Sequence, residues 1–134
     1  MILDSLQGFV PFALYFSLGY LLTVTFLFIY SKVTPHCEWT LVKAGNTTAA
    51  IGFAGTLIGF VLPIASAAIN AVSLLDFVVW AVIAGVMQLV TFFMVRLYMP
   101  ALSEKIEQGK LSAGLFLGAA SLATGILNAA CMTY

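Results

Sequence analysis

The chain has 134 residues, 63% of them hydrophobic and 7% charged, with five basic side chains balanced by five acidic ones. Soluble domains carry roughly 45–50% apolar and ~25% charged residues, so this composition excludes a water-soluble globular domain and points to an all-α integral membrane protein surrounded by lipid. A net charge of zero with so few cations offers no basic surface, and no nucleic-acid partner is expected.

The charges fall at Asp4, Lys32, Glu38, Lys43, Asp76, Arg96, Glu104, Lys105, Glu107 and Lys110, leaving uncharged runs of 27, 32, 19 and 24 residues. About 20 apolar residues cross a ~30 Å hydrocarbon core, so each run holds one helix. The spacing predicts membrane helices over 9–31, 47–71, 74–96 and 111–133. No basic segment precedes the first, and its apolar stretch exceeds the ~7–15 residues of a signal peptide, so it is expected to stay as a membrane span. Eight of the eleven Phe lie on the first and third helices, which suits outer, lipid-facing positions.

Between the first two spans lies Pro35 to Ala44, followed by Gly45; between the last two lies Pro100 to Gln108, followed by Gly109. Pro favours the start of a helix and Gly the position just past its end, so each segment predicts a short surface helix with solvated charges. Trp39, Leu41, Val42, Leu102 and Ile106 then face either lipid or the bundle. On the opposite side Ser73-Leu74-Leu75-Asp76 has the spacing of a capping box, which gives Asp76 a structural role at the start of the third helix.

The second span, NTTAAIGFAGTLIGFVLPIASAAIN from Asn46 to Asn70, is poor in bulky side chains. It carries two small-xxx-small tracks, Ala50/Ala54 and Gly55/Gly59; the fourth span carries Gly114/Gly118 and Ala119/Ala123. Lipid tails give helices no hydrophobic reason to associate, so close van der Waals contact through small residues supplies much of the drive. Positions 50 and 55 lie about 140° apart around a helix, so the tracks occupy different faces. One face is expected to join helices within the chain and the other to meet a second chain, giving a homo-oligomer. Pro63 removes one backbone hydrogen bond and crowds the Gly59 carbonyl, predicting a kink with Ser66 placed to satisfy the freed carbonyl.

The halves look duplicated. Val24-Thr25-Phe26 recurs as Val90-Thr91-Phe92, Gly19 as Gly85, Pro35 as Pro100 and Gly45 as Gly109, at offsets drifting from 66 to 64. The expected architecture is one membrane domain over 1–134, with repeat 1 at about 1–71 and repeat 2 at about 72–134. Each repeat is a helical hairpin, and an even number of crossings per half makes the two hairpins parallel. All five Lys and Arg sit on the side of the two longer connections, which the positive-inside rule places in the cytoplasm. Both termini are therefore expected outside.

Candidate chemistry is sparse. Gln88 lies mid-span on the third helix, Asn128 in the outer half of the fourth and Asn70 at the end of the second. Such amides either tie helices together or line a polar path. His36-Cys37-Glu38 holds ligand-type side chains without the spacing of a metal site, so neither metal nor cofactor is expected. Asp76 and Arg96 stand 20 residues apart on one helix, about 30 Å, and cannot pair within a protomer. Cys37 and Cys131 fall on opposite sides and cannot form an internal disulfide. No Ser/His/acid pattern, paired carboxylates or phosphate loop is legible, and no enzyme is expected.

The runs LFIYSKVTPHCEW (Leu27 to Trp39), RLYMPALSEKI (Arg96 to Ile106) and ILNAACMTY (Ile126 to Tyr134) resemble the YjfL-like bacterial inner-membrane proteins, a family defined by domain of unknown function 350. The resemblance covers essentially the whole chain. It implies four transmembrane helices built as two two-helix repeats in the bacterial inner membrane, carries no catalytic or binding residue with it, and suggests an envelope-stress context with a peripheral envelope-stress protein as partner. The expected function is a non-enzymatic, homo-oligomeric scaffold or membrane partner; the alternative is a small channel or transporter subunit.

Overall fold

A computed structural model describes residues 1–132, and among these the regular elements are all helical. In chain order they are α1 (Ile2–Leu6), α2 (Phe9–Val33), α3 (Glu38–Lys43), α4 (Thr47–Asn70), α5 (Leu74–Tyr98), α6 (Leu102–Glu107) and α7 (Leu111–Cys131). Four helical stretches, Ile2–Val33, α4, α5 and α7, are long and apolar enough to cross a membrane. The helices α2, α4, α5 and α7 agree with the expected spans to within two residues at each end; position 133 of the fourth span, like Tyr134, lies outside the described residues.

The caps explain where the helices begin and end. The Asn46 side chain accepts from the Ala49 amide at 2.9 Å at the start of α4, and Ser73 Oγ accepts from the Asp76 amide at 3.1 Å at the start of α5. Asp76 Oδ2 in turn accepts from the Val72 amide at 3.2 Å, so the expected capping box is present with its return bond displaced by one residue. Past the short helices, Gly45 and Gly109 adopt φ of 89° and 77°, a region that favours glycine. Each reverses the chain in the same way: Asn46 N bonds Leu41 O at 2.9 Å, and Lys110 N bonds Lys105 O at 2.9 Å.

Contacts centre on α4. It packs most extensively on α7, then on α5, while α2 touches α4 and α5 only lightly. Half of the most apolar window of α4 (50%) is buried inside the chain, against 17% for the α2 stretch, so α2 is the peripheral span. The α4–α7 seam is built from glycine. A side chain at Gly55 would strike the Gly118 backbone, one at Gly114 the Thr48 carbonyl and one at Gly125 the Gly59 carbonyl. The two GxxxG tracks, Gly55/Gly59 and Gly114/Gly118, therefore lie on one shared seam, although they occupy different tracks in the two helices. Ala54, Ala119 and Ala123 are exposed and Ala50 is half-buried.

Three expectations are corrected. Ser66 Oγ donates to the Ala129 carbonyl of α7 at 3.1 Å rather than serving the carbonyl released by Pro63. That carbonyl, Gly59 O, instead approaches α7 where Gly125 has no side chain. Phe26, Phe77 and Phe92 are core residues rather than lipid-facing ones, with Phe26 stacked on Phe60 at 4.2 Å between ring centres. The charges of the first short helix are not all solvated either: Glu38 is 1% exposed. Leu102 and Ile106 turn into the bundle, whereas Trp39 and Val42 face outward.

Candidate functional site

Most polar groups withdrawn from the surface form two layers, one at the end of the bundle that carries the longer connections and one nearer its middle. In the first layer the chain leaving α2 turns sharply through Thr34, Pro35 and His36, which buries Thr34, His36 and Glu38 beneath α6. Thr34 Oγ1 donates to Glu38 Oε1 at 2.6 Å, and His36 Nδ1 lies 2.8 Å from Ser103 Oγ of the second connection. His36 Nε2 faces Glu38 Oε2 at 3.9 Å, too far for a hydrogen bond, and that carboxyl oxygen has no partner. Asn46 ties the same two connections together by donating to the Ile106 carbonyl at 3.0 Å.

Burial governs the charge here. It pushes the Glu38 carboxyl up to about 7 and the His36 imidazole down to about 4, because each loses hydration of its charged form. Exposed Cys37 moves the other way for a thiol, downward, through the Thr40 hydroxyl, which lies 3.2 Å from its sulfur.

The second layer lies deeper. Thr56 Oγ1 is 3.3 Å from the Tyr30 hydroxyl and 3.2 Å from Ser121 Oγ, and Gln88 Nε2 donates to the Ser121 carbonyl at 3.0 Å. Thr91 and Thr124 exchange a hydroxyl bond at 2.7 Å across α5 and α7. Tyr30 and His36 both pack on the Phe92 ring.

The three expected path residues do not make one set of bonds. Gln88 is fully buried within the protomer and leaves its Oε1 without a partner; Asn70 donates to Ser66 O at 2.9 Å at the far end of α4; Asn128 Nδ2 is buried with no partner. Pro63 is buried within an unbroken α4. Among the described residues no group of three metal-ligating side chains converges. Sequence reasoning named His36 and Glu38 only as ligand-type side chains without a metal spacing, and missed Thr34, Thr56, Ser103 and Ser121. Ser103, His36 and Glu38 do form a row, but a 3.9 Å gap and an imidazole of lowered basicity make it a poor nucleophile-activating set.

The chain matches the family model "Domain of Unknown Function (DUF350)" over residues 4–132. It belongs to the DUF350 family. Among DUF350-like relatives, the UPF0719 inner membrane protein YjfL of Escherichia coli K12 is 57% identical over 133 residues, covering 99% of this chain and 98% of the relative. The protein of the same name from Escherichia coli O157:H7 matches equally. No solved structure matches. The expected resemblance is thus established as family membership. No enzymatic family accompanies it.

Proposed function

We propose that this DUF350 protein is a non-enzymatic, multi-pass protein of the bacterial inner membrane that assembles with copies of itself, with both termini periplasmic, and serves as a scaffold or docking partner for a peripheral envelope-stress protein. The inner-membrane name of its relatives supports the location. The observation that carries the assembly is the division of the small-residue tracks: glycines fill the internal seam, while Ala54, Ala119 and Ala123 remain on the outside of the same two helices. An outward small-residue face lets a second helix approach closely.

Two parallel hairpins fit the burial pattern when the offset is taken as 65. Gly19 and Ala84, Tyr30 and Val95, Thr48 and Ala113, and Thr56 and Ser121 are all buried pairs at that spacing. Thr56 and Ser121 also bond to each other, as equivalent residues beside a two-fold axis can.

Leucine at Ala54 and Ala119 together would fill the outer face without touching the seam. Crosslinking and native mass in lipid nanodiscs should then show loss of the oligomer with the protomer still folded. A monomeric wild type would refute the reading. The second reading, a channel or transporter subunit, draws on the buried hydroxyls near Gln88. Against it, backbones meet at Gly59 and Ser121, and two clefts between α2 and its neighbours open sideways with apolar linings. Liposome flux by the wild type would favour it.

A further inference from the structure

Glu38 presents an unusual combination. Its carboxyl is 1% exposed, no Lys or Arg among the described residues lies within 4.0 Å of it, and Oε2 is unpartnered. A buried carboxylate without a cation is costly, and such groups are neutralised in practice. The neighbouring imidazole is oriented for that outcome. If His36 Nδ1–H donates to Ser103 Oγ at 2.8 Å, the remaining lone pair, on Nε2, points toward Glu38 Oε2. One proton on Oε2 supplies the missing donor once the 3.9 Å gap closes by about 1 Å to hydrogen-bond length. Without it, two acceptors face each other in a buried space.

The other titratable or charged groups near the site do not replace that proton. Cys37 is on the exposed side of the turn, and the buried Tyr30 hydroxyl of α2 is engaged with Thr56. Lys32 of α2, Arg96 of α5 and Glu104 of α6 are exposed, and Lys105 of α6 is half-exposed.

We propose that Glu38 Oε2 and His36 Nε2 form a one-proton binding site whose occupancy holds the Thr34–Glu38 turn onto α6. Proton binding to the carboxylate makes one O–H bond, which then donates to the imidazole; release returns the proton to water and leaves an anion that draws water in or drives the turn out. The site thus reports the pH on the side of the longer connections, independently of whether copies assemble.

The test is infrared difference spectroscopy of the full-length protein in lipid nanodiscs, titrated from pH 5 to 9, with carbon-13 glutamate to mark the carboxyl band. The raised affinity for protons at Glu38 sets the expected midpoint near 7. The band should vanish in Glu38→Gln. Glu104 and Glu107, the other two glutamates, are exposed, and a Glu104→Gln/Glu107→Gln variant leaves Glu38 as the one labelled glutamate carboxyl, which identifies it even if Glu38→Gln fails to fold. Hydrogen exchange of the 34–38 segment, corrected for intrinsic rate, should quicken at least tenfold between pH 6 and 8 in the wild type and stay level in Glu38→Gln. A labelled carboxyl that titrates only near 4, or exchange at 34–38 that does not respond to pH, overturns the proposal. So does a midpoint that moves with added Na⁺, K⁺ or Zn²⁺, which would put a metal ion in the gap.

Discussion

Gly52 and Gly59 lie on the same face of α4, two turns apart, yet alanine should have opposite effects at the two positions. At Gly52 a new Cβ would meet Leu117 Cδ2 at 3.4 Å, an ordinary contact with the end of a flexible side chain. Alanine there gains up to ~1 kcal/mol of helix propensity with no clash, so Gly52→Ala should be neutral or stabilising. At Gly59 the Cβ would overlap the Ser121 backbone, with Ser121 C at 2.8 Å and Gln88 Nε2 also at 2.8 Å. Backbone has no rotamer to yield, so α4 and α7 must separate by several tenths of an ångström at least, and the Gln88 amide must leave the Ser121 carbonyl. Overpacking typically costs ~1–3 kcal/mol, and rigid backbone on both sides puts this site at the upper end. Set against the same propensity gain, Gly59→Ala should lose about 2 kcal/mol net, roughly a 30-fold shift in the folding equilibrium at ~1.4 kcal/mol per tenfold. Detergent-induced unfolding in mixed micelles, read by tryptophan fluorescence at Trp39 and Trp80 and by circular dichroism, measures both variants against the wild type. Equal stability of the two variants would refute the seam as described.

Reporter fusions after Lys43 and after Gln108 should read cytoplasmic and a fusion at Tyr134 periplasmic; the reverse pattern would invert the orientation. Gln88→Leu removes one interhelical bond of about 0.6 kcal/mol but also an unpartnered buried oxygen, so the protein should fold and assemble unchanged, as a melting curve and native mass would show. Folding should be nearly independent of pH between about 4.5 and 6.5 because two opposing terms cancel. Glu38, raised to about 7, stabilises at low pH and loses that contribution as pH rises from its ordinary 4.5 through 7; His36, lowered to about 4, stabilises at high pH and loses its contribution as pH falls from 6.5 through 4. Glu38→Gln should therefore leave stability rising from pH 4 to 6.5, and His36→Gln should leave it falling from 4.5 to 7, each by about 3 kcal/mol at 1.36 kcal/mol per pH unit, as unfolding titrations at fixed pH would measure.

The four spans were legible because the bilayer imposes a length on uncharged runs, and the gaps between Asp4, Lys32, Lys43, Asp76, Arg96 and Lys110 are direct readings of that constraint. The turns were legible for a local reason too: Gly45 and Gly109 follow short helices that must reverse. What sequence could not supply was the rotation of each helix. Gly55/Gly59 and Gly114/Gly118 were identifiable as small-residue tracks, but the sequence offset of 64 aligned them with alanines in the other half. Burial recurs at 65, and one residue turns a helix by about 100°, enough to change which track faces inward. The Glu38 site was less accessible still. His36 and Glu38 look like loop residues in a charged segment, and their surroundings are completed by Ser103, 67 positions from His36.

The depth of the polar groups argues that this site senses protons without conducting them. Gln88 lies 12 residues beyond Asp76 and 8 before Arg96 on α5, about 18 Å and 12 Å along the helix, so the Tyr30–Thr56–Ser121–Gln88 group reaches only the middle of the span. Beyond it the interior is Phe60, Pro63, Ile64, Ala67, Phe77 and Ala81, all buried. The polar side chains at that end include Ser66, Asn70 and Asn128, all half-exposed; Ser66 and Asn70 bond to each other and Ser66 to Ala129, while Asn128 Nδ2 has no partner to pass a proton to. A transferable proton needs a continuous row of donors and acceptors, and apolar stretches of that kind are barriers to water and ions. On the near side the Phe92 ring packs against both His36 and Tyr30. With apolar packing on the far side, a proton bound at Glu38 exchanges through the turn by which it entered. Binding and release on one side can change the docking of the Thr34–Glu38 turn on α6, a surface feature that a peripheral partner on that side would meet directly.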